Sequence, residues 1–161
     1  MKSTGTHIPF TVWAASLFPH LPIAELGMGQ YSTPLLNAFA RAGRRVFSYE
    51  THQDWLKVFL PLLHPNHQML LVLNGWENVS LDKDWGMVLV DQEPAEARVP
   101  VIRRLAHQAK VLVIHDTQDQ GYAYANIWPL FKYRADYTFW PTTTAVVSNS
   151  YDVGAWNGPN L

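Results

Sequence analysis

The 161-residue chain contains no cysteine, which excludes disulfides, thiolate metal sites and thiol nucleophiles. It has no unbroken apolar run of about 18 residues of the kind that spans a membrane. Its N-terminus lacks an apolar leader core, because His7, Pro9 and His20 interrupt it. Charge is scarce: 12 Lys and Arg stand against 13 Asp and Glu, for a net charge of −1. No basic cluster exceeds a pair such as Arg44-Arg45 or Arg103-Arg104. A nucleic-acid tracking surface is therefore not expected. The default expectation is a soluble, cytoplasmic protein with a small-molecule partner, no nucleic acid and no membrane.

Apolar and aromatic residues are plentiful. Hydrophobic residues make up 48% of the chain, with seven each of Trp, Tyr and Phe; that is enough for one domain with a real core and argues against disorder. Short apolar runs recur, each followed by polar residues and a helical pattern. Ile23–Met28, Arg45–Tyr49, Gln68–Leu73, Gly86–Val90 and Val111–Ile114 read as strands. Helices are expected over Thr33–Ala42, His52–Leu63, Ala95–Gln108 and, briefly, Ala123–Phe131. Thr33 reads as the cap of the first of these, with Pro34 in its opening position and Gly43 at its end. In the second, Trp55, Val58, Phe59 and Leu62 have the spacing of a core-facing stripe. Tyr133–Trp140 and Thr142–Ser148 look like a terminal hairpin, with Trp140 at its tip.

Runs such as "MLLVL", "MVLV" and "VLVI" suit parallel strands buried on both faces, so a doubly wound α/β sheet is expected. Ligands of such sheets bind beyond the carboxyl ends of the strands. Those ends carry Glu25 and Gly27, Glu50 and Thr51, Asn74 and Gly75, Asp91, and His115 with Asp116. The stretch "AELGMGQYSTPLL" is a glycine loop entering a helix, which can hold a pyrophosphate or a carboxylate. A dinucleotide fingerprint would place a third glycine where Ser32 stands. The negative charge of Glu25 would repel phosphates and suits a cationic group instead. Glu50 is placed to accept hydrogen bonds from both hydroxyls of a ribose.

Together "ELGMGQYST", "VFSYE", "VLVDQEP" and "VLVIHDT" resemble the class I S-adenosylmethionine-dependent methyltransferases, most closely their small bacterial and phage-type members. The resemblance covers residues 21–149. It implies a three-layer Rossmann-like sandwich with a mostly parallel sheet in the order 3-2-1-4-5-7-6, closed by an antiparallel C-terminal hairpin. Residues 1–22 would be a helical cover containing Phe10, Val12, Trp13 and Leu17, residues 23–149 the core, and residues 150–161 a tail of the same single domain. The family's pattern places S-adenosylmethionine against Glu25, Gly27, Met28, Gly29 and Ser32, with Glu50 and Thr51 at its ribose. Asn74, Gly75 and Trp76 would border the adenine, with Trp76 stacking, and Asp91 would lie beside the sulfonium. Where the family often has a glycine two residues after Gly29, this chain has Tyr31.

Methyl transfer to a hydroxyl needs a positioned acceptor and removal of a proton. Asp91, His115 and Asp116 are the candidate catalytic groups, with His115 as base. A second reading adds a divalent metal held by Asp91 and Asp116, with His115 as a further ligand, as in some catechol-type members. There Thr117 stands where those members carry an amide. His64 and His67 read as solvated loop residues, and His7, His20, His52 and His107 form no constellation. Tyr122, Tyr124 and Trp128 read as core packing or an acceptor pocket, and Glu93 and Glu96 as a solvated helix start. With little room for a lid domain, the acceptor would meet an open face, the N-terminal segment or a neighbouring subunit, and a homodimer is one expected way to complete that side. Two other classes stay open: a non-catalytic cofactor- or nucleoside-binding module of this fold, and an NAD-type oxidoreductase.

Overall fold

A computed structural model describes residues 5–139 and 141–155. The strands are β1 (Ile23–Leu26), β2 (Val46–Glu50), β3 (His67–Leu71), β4 (Trp85–Val90), β5 (Ala109–Ile114), β6 (Tyr133–Phe139) and β7 (Thr142–Ser148). The helices are α1 (Ile8–Leu17), α2 (Ser32–Arg41), α3 (Gln53–Phe59) and α4 (Arg98–Leu105). All seven strands form one sheet in the order β3-β2-β1-β4-β5-β7-β6. β1 to β5 are parallel, and β7 runs antiparallel to both β5 and β6. The expected sheet order and hairpin are therefore present. The reading of Trp140 and the end of the tail fall outside the described residues.

The central strands bury both faces, as their unbroken apolar sequences require. One face carries Ile23, Val46, Met87, Leu89, Val111 and Val113 under α1 and α2. The other carries Ala24, Leu26, Val88, Val90, Leu112 and Ile114 with Val101, Ile102 and Leu105 of α4. The helical cover anticipated over residues 1–22 is α1. It is apolar almost all round, and Phe10 stacks on Tyr137 at 4.2 Å. Arg44 ties its end to the sheet through the carbonyls of Ala15 and Leu21.

Four local expectations are corrected. Thr33 lies inside α2, whose N-cap is Tyr31, and its hydroxyl is spent on Glu25. The stripe of the second expected helix does not face the core. Only Phe59 is buried, whereas Trp55, Val58 and Leu62 are exposed, because α3 and the 3-10 turn Leu60–Leu62 flank the outermost strand, β3. The helix expected over Ala123–Phe131 is two 3-10 turns, Tyr124–Asn126 and Trp128–Leu130. Ala123 is left-handed, and Pro129 has no N–H to continue a helix. His67 is a buried strand residue, not a loop residue in solvent.

The register aligns the strand ends. Leu26 lies opposite Tyr49 of β2 and Val90 of β4, and Val90 lies opposite Ile114 of β5. The next residue of each strand therefore falls in one row: Glu50, Gly27, Asp91, His115. Gly27 has φ +87°, and a Cβ there would lie 2.5 Å from the Asp91 carbonyl oxygen. The β1 and β4 turns can meet this closely only at a glycine. Gly27→Ala should cost about 2–4 kcal/mol, from left-handed backbone and overpacking together; urea unfolding of the two proteins measures it.

Candidate active site

The row is held by main-chain bonds between neighbouring strand ends. Gly27 N–H donates to Tyr49 O at 2.9 Å, Asp91 N–H to Leu26 O at 2.8 Å and His115 N–H to Val90 O at 3.1 Å. Glu50, only 5% exposed, adds a side-chain clamp. Its Oε2 accepts from Met28 N–H at 2.8 Å, and its Oε1 from the N–H groups of Thr51 and His52 at 2.7 and 2.8 Å. The β1–α2 loop and the β2–α3 turn are thus joined through one carboxylate.

Glu25 turns inward. Parallel register sets it beside Ser48, whose hydroxyl donates to Glu25 Oε2 and also meets His67 Nε2 at 2.7 Å. Thr33 Oγ1 donates to the same carboxylate and accepts from Gly29 N–H at 3.0 Å. Glu25 is fully buried, so its carboxylate meets protein hydroxyls and no open surface. Burial pushes its pKa up to about 7, against the hydroxyls of Ser32, Ser48 and Thr33 and with a further push from the Asp91 charge. Burial also drives the His67 pKa down to about 4, so at neutral pH its imidazole is uncharged and can donate through Nε2 to Ser48. Ser32 is buried at the start of α2.

Asp91 sits in the opposite environment. Burial alone would raise its carboxyl, but the hydrogen bond from His115 and the charges of His115, Arg98 and His7 outweigh it and hold the pKa below the usual value. Arg98 is 2% exposed. Its guanidinium donates to Asp91 Oδ1 at 3.1 Å, to the Gln92 carbonyl at 2.8 Å and to the His115 carbonyl at 3.1 Å. It also lies 5.0 Å from the Tyr122 ring centroid. Sequence reading missed Arg98. The available signal was an arginine at a core position of the helix, three, four and seven residues before the buried Val101, Ile102 and Leu105.

His115 Nδ1 lies 3.3 Å from Asp91 Oδ1 and 3.4 Å from Asp116 Oδ2. Its Nε2 faces the hydroxyls of Thr6 and Thr142 at 3.2 and 3.4 Å, and those hydroxyls bond to each other. All three expected catalytic groups therefore meet. Asp116 is held in left-handed backbone at φ 58°. His7, read in sequence as part of no constellation, packs its ring against His115 with centroids 4.5 Å apart. Burial, aided by the His115 charge and opposed by Asp91, lowers the His7 pKa to about 4. Among the described residues, His7, Asp91 and His115 bring one possible ligand atom each within 4.8 Å of one another, whereas sequence reading had grouped Asp91 and Asp116, with His115 as a further ligand.

The far end of the row differs from expectation at Trp76. In place of a free stacking face, its ring is 3% exposed in the core and its Nε1–H donates to Glu93 O at 2.8 Å. Asn74 is exposed, and Asn74 and Gly75 instead line a depression of about 290 Å³ with Tyr49, Val72 and Val79. At the other end, a depression of about 370 Å³ beyond β5 is lined by Thr117, Gln120, Tyr124 and Trp128. Tyr124 is core, while Tyr122 and Trp128 are half-buried beside it.

No protein-family model matches the chain, and no curated protein matches it in sequence. Solved structures match its fold. An rRNA methylase from Streptococcus thermophilus has a TM-score of 0.67 at 14% identity, over 94% of this chain and 99% of that one. Human methyltransferase-like protein 13, in complex with S-adenosylhomocysteine, has a TM-score of 0.65 at 11% identity, over 92% and 83%. Magnesium protoporphyrin IX methyltransferase from Synechocystis PCC 6803, with bound S-adenosylmethionine, has a TM-score of 0.58 at 14% identity, over 90% and 78%. The chain has the Rossmann-like fold of the class I methyltransferases.

Because the Glu25 carboxyl is harder to ionise in the folded chain than in the unfolded one, it holds its proton longer when folded. Its contribution to stability is therefore full below pH about 4.5 and falls as pH rises to about 7. Glu25→Gln stays neutral throughout. Its stability relative to wild type should improve by about 1–3 kcal/mol between pH 5 and pH 8. Urea unfolding at the two pH values reads this, and an unchanged difference would show that Glu25 is ionised at both.

Proposed function

We propose that the chain is an S-adenosylmethionine-dependent methyltransferase acting on an oxygen or nitrogen of a small molecule. The observation that carries this reading is the row Glu50–Gly27–Asp91–His115, which sets a bare glycine turn and a carboxylate beside an acid–histidine pair.

The residues fit the cofactor. A side chain at Gly27 would fill the turn against Asp91. Glu50 Oε2 takes a single hydrogen bond, from Met28 N–H, and so keeps acceptor capacity for one ribose hydroxyl. Its Oε1 is already occupied by the chain's own donors, Thr51 and His52. The apolar wall of Tyr49 and Val72, with Asn74 and Gly75 at its rim, suits the adenine. Met28, Gly29 and Ser32 would support the methionine part. Glu25 would act through Thr33 and the loop it anchors rather than by direct contact. S-adenosylmethionine, when bound, supplies a methyl group already activated on a sulfonium.

The chain's own contribution is positioning and proton removal. Asp91 and Arg98 form an ion pair in which the guanidinium is buried, and Asp91 Oδ1 accepts from His115 Nδ1. With its proton on Nδ1, His115 presents the Nε2 lone pair toward hydroxyls. An acceptor hydroxyl in the place of Thr6 would give its proton to Nε2, and the imidazolium would be stabilised by Asp91. Asp116 flanks the same ring. The aromatic hollow beyond β5 is the acceptor side. A small molecule suits it better than a polyanion, because Asp119 is part of its lining and the arginine over its Trp128 wall, Arg134, is paired with Asp136. A second reading, a cofactor-binding module without transfer, is favoured by the way Thr6 and His7 cover His115.

Calorimetric titration should show binding of S-adenosylmethionine and S-adenosylhomocysteine and none of NAD; binding of NAD alone would overturn the proposal. Glu50→Ala should weaken cofactor binding by about 1–3 kcal/mol, measured where circular dichroism shows the variant folded. Turnover of a phenol or amine from an acceptor panel, lost in His115→Ala with cofactor affinity retained, separates the enzyme from the binding module.

A further inference from the structure

The geometry points to a divalent transition-metal site formed by His7, Asp91 and His115. One ligand atom from each residue can be chosen so that all lie within 4.8 Å of one another. The three come from the turn before α1 and from the ends of β4 and β5, so only the fold assembles them.

His7 supplies an independent sign of a missing ligand. It is 3% exposed, and neither of its ring nitrogens has a hydrogen-bond partner among the described residues. An uncharged imidazole carries one donor and one acceptor, and burying both unpaired is costly. The main chain of His7 accepts from Thr11 Oγ1 at 3.0 Å, and its ring packs against His115 with centroids 4.5 Å apart. The other two ligands have suitable spacing. Two atoms bound tetrahedrally at about 2.1 Å from an ion stand about 3.4 Å apart, and His115 Nδ1 and Asp91 Oδ1 are 3.3 Å apart. Arg98 and His115 both use Oδ1 of Asp91, and no hydrogen bond among the described residues uses Oδ2.

Local charge favours a cation. The carboxylates of Asp91 and Glu93 flank the guanidinium of Arg98, and that of Asp116 lies 3.4 Å from His115 Nδ1. Two imidazoles and one carboxylate suit Zn²⁺, Co²⁺, Ni²⁺ or Fe²⁺ rather than Mg²⁺. The chain offers no thiolate to compete.

The site stands without the methyltransferase reading; its consequence for catalysis rests on that reading. An ion on Nδ1 leaves the His115 ring proton on Nε2. His115 then donates to Thr6 and Thr142 and no longer serves as a base. Through His7, the same ion pins the Gly5–His7 turn over the site. The metal-loaded chain is the closed form, and methyl transfer belongs to the metal-free form.

Metal-stripped full-length protein, titrated with Zn²⁺ in a calorimeter and with Co²⁺ by visible absorption, tests this. One equivalent should bind, and His7→Ala and Asp91→Asn should each weaken binding at least about tenfold. The exposed-histidine variants His20→Ala and His107→Ala should bind as wild type does. In the wild-type Co²⁺ protein, the ring protons of His7 and His115 should show paramagnetically shifted resonances, which tests the ligands even if a variant fails to fold. Absence of saturable binding, an unchanged Kd in folded His7→Ala, or shifts confined to other histidines would overturn the site. A site that binds Zn²⁺ as described but leaves methyl transfer unaffected would overturn the closed-form consequence alone.

Discussion

Leu26 faces Tyr49 on one side and Val90 on the other, and Val90 faces Ile114. From that parallel register follows everything at the open edge of the sheet. The backbone of each strand donates across to its neighbour until Glu50, Gly27, Asp91 and His115 stand side by side. The row tolerates no side chain at Gly27, because the Asp91 carbonyl occupies that space. Arg98 then locks the far half. A buried guanidinium needs a carboxylate and several carbonyls, and it finds them in Asp91, Gln92 and His115.

Two of the acids at this edge illustrate how environment assigns roles. Glu25 lies on the α2 side of the sheet among hydroxyls with no cation beside it, and burial raises its pKa. Asp91 lies one strand away beside a guanidinium and two imidazoles, which keep it ionised despite burial. The first is suited to hold the glycine loop and the start of α2 together. The second is suited to orient a histidine or to ligate a cation.

The N-terminal turn closes over the end of β5. α1 covers the sheet as an apolar helix, and the three residues before it reach over the end of β5. Thr6 and His7 therefore complete the surroundings of His115 from within the chain. At the opposite edge, Val58, Leu60, Leu62 and Leu73 remain exposed around the outermost strand, β3.

The elements of the sheet were legible because they rest on local rules: apolar runs for buried strands, and glycine and polar punctuation at their ends. Glu50, Gly27, Asp91, His115 and Asp116 could be picked out as strand-end residues for the same reason. The sequence by itself determined which residues end the strands and what chemistry those residues carry. It did not determine which way their side chains turn. Glu25 and Trp76 point into the core, His67 joins a buried relay, and α3 lies over too little sheet to bury its stripe. Arg98 and His7 were passed over because nothing in their neighbouring sequence sets them apart, and the group each meets at His115 comes to it only through the fold. Register across parallel strands and the docking of α1 are non-local, so only the tertiary structure could decide that His7, Asp91 and His115 share one place.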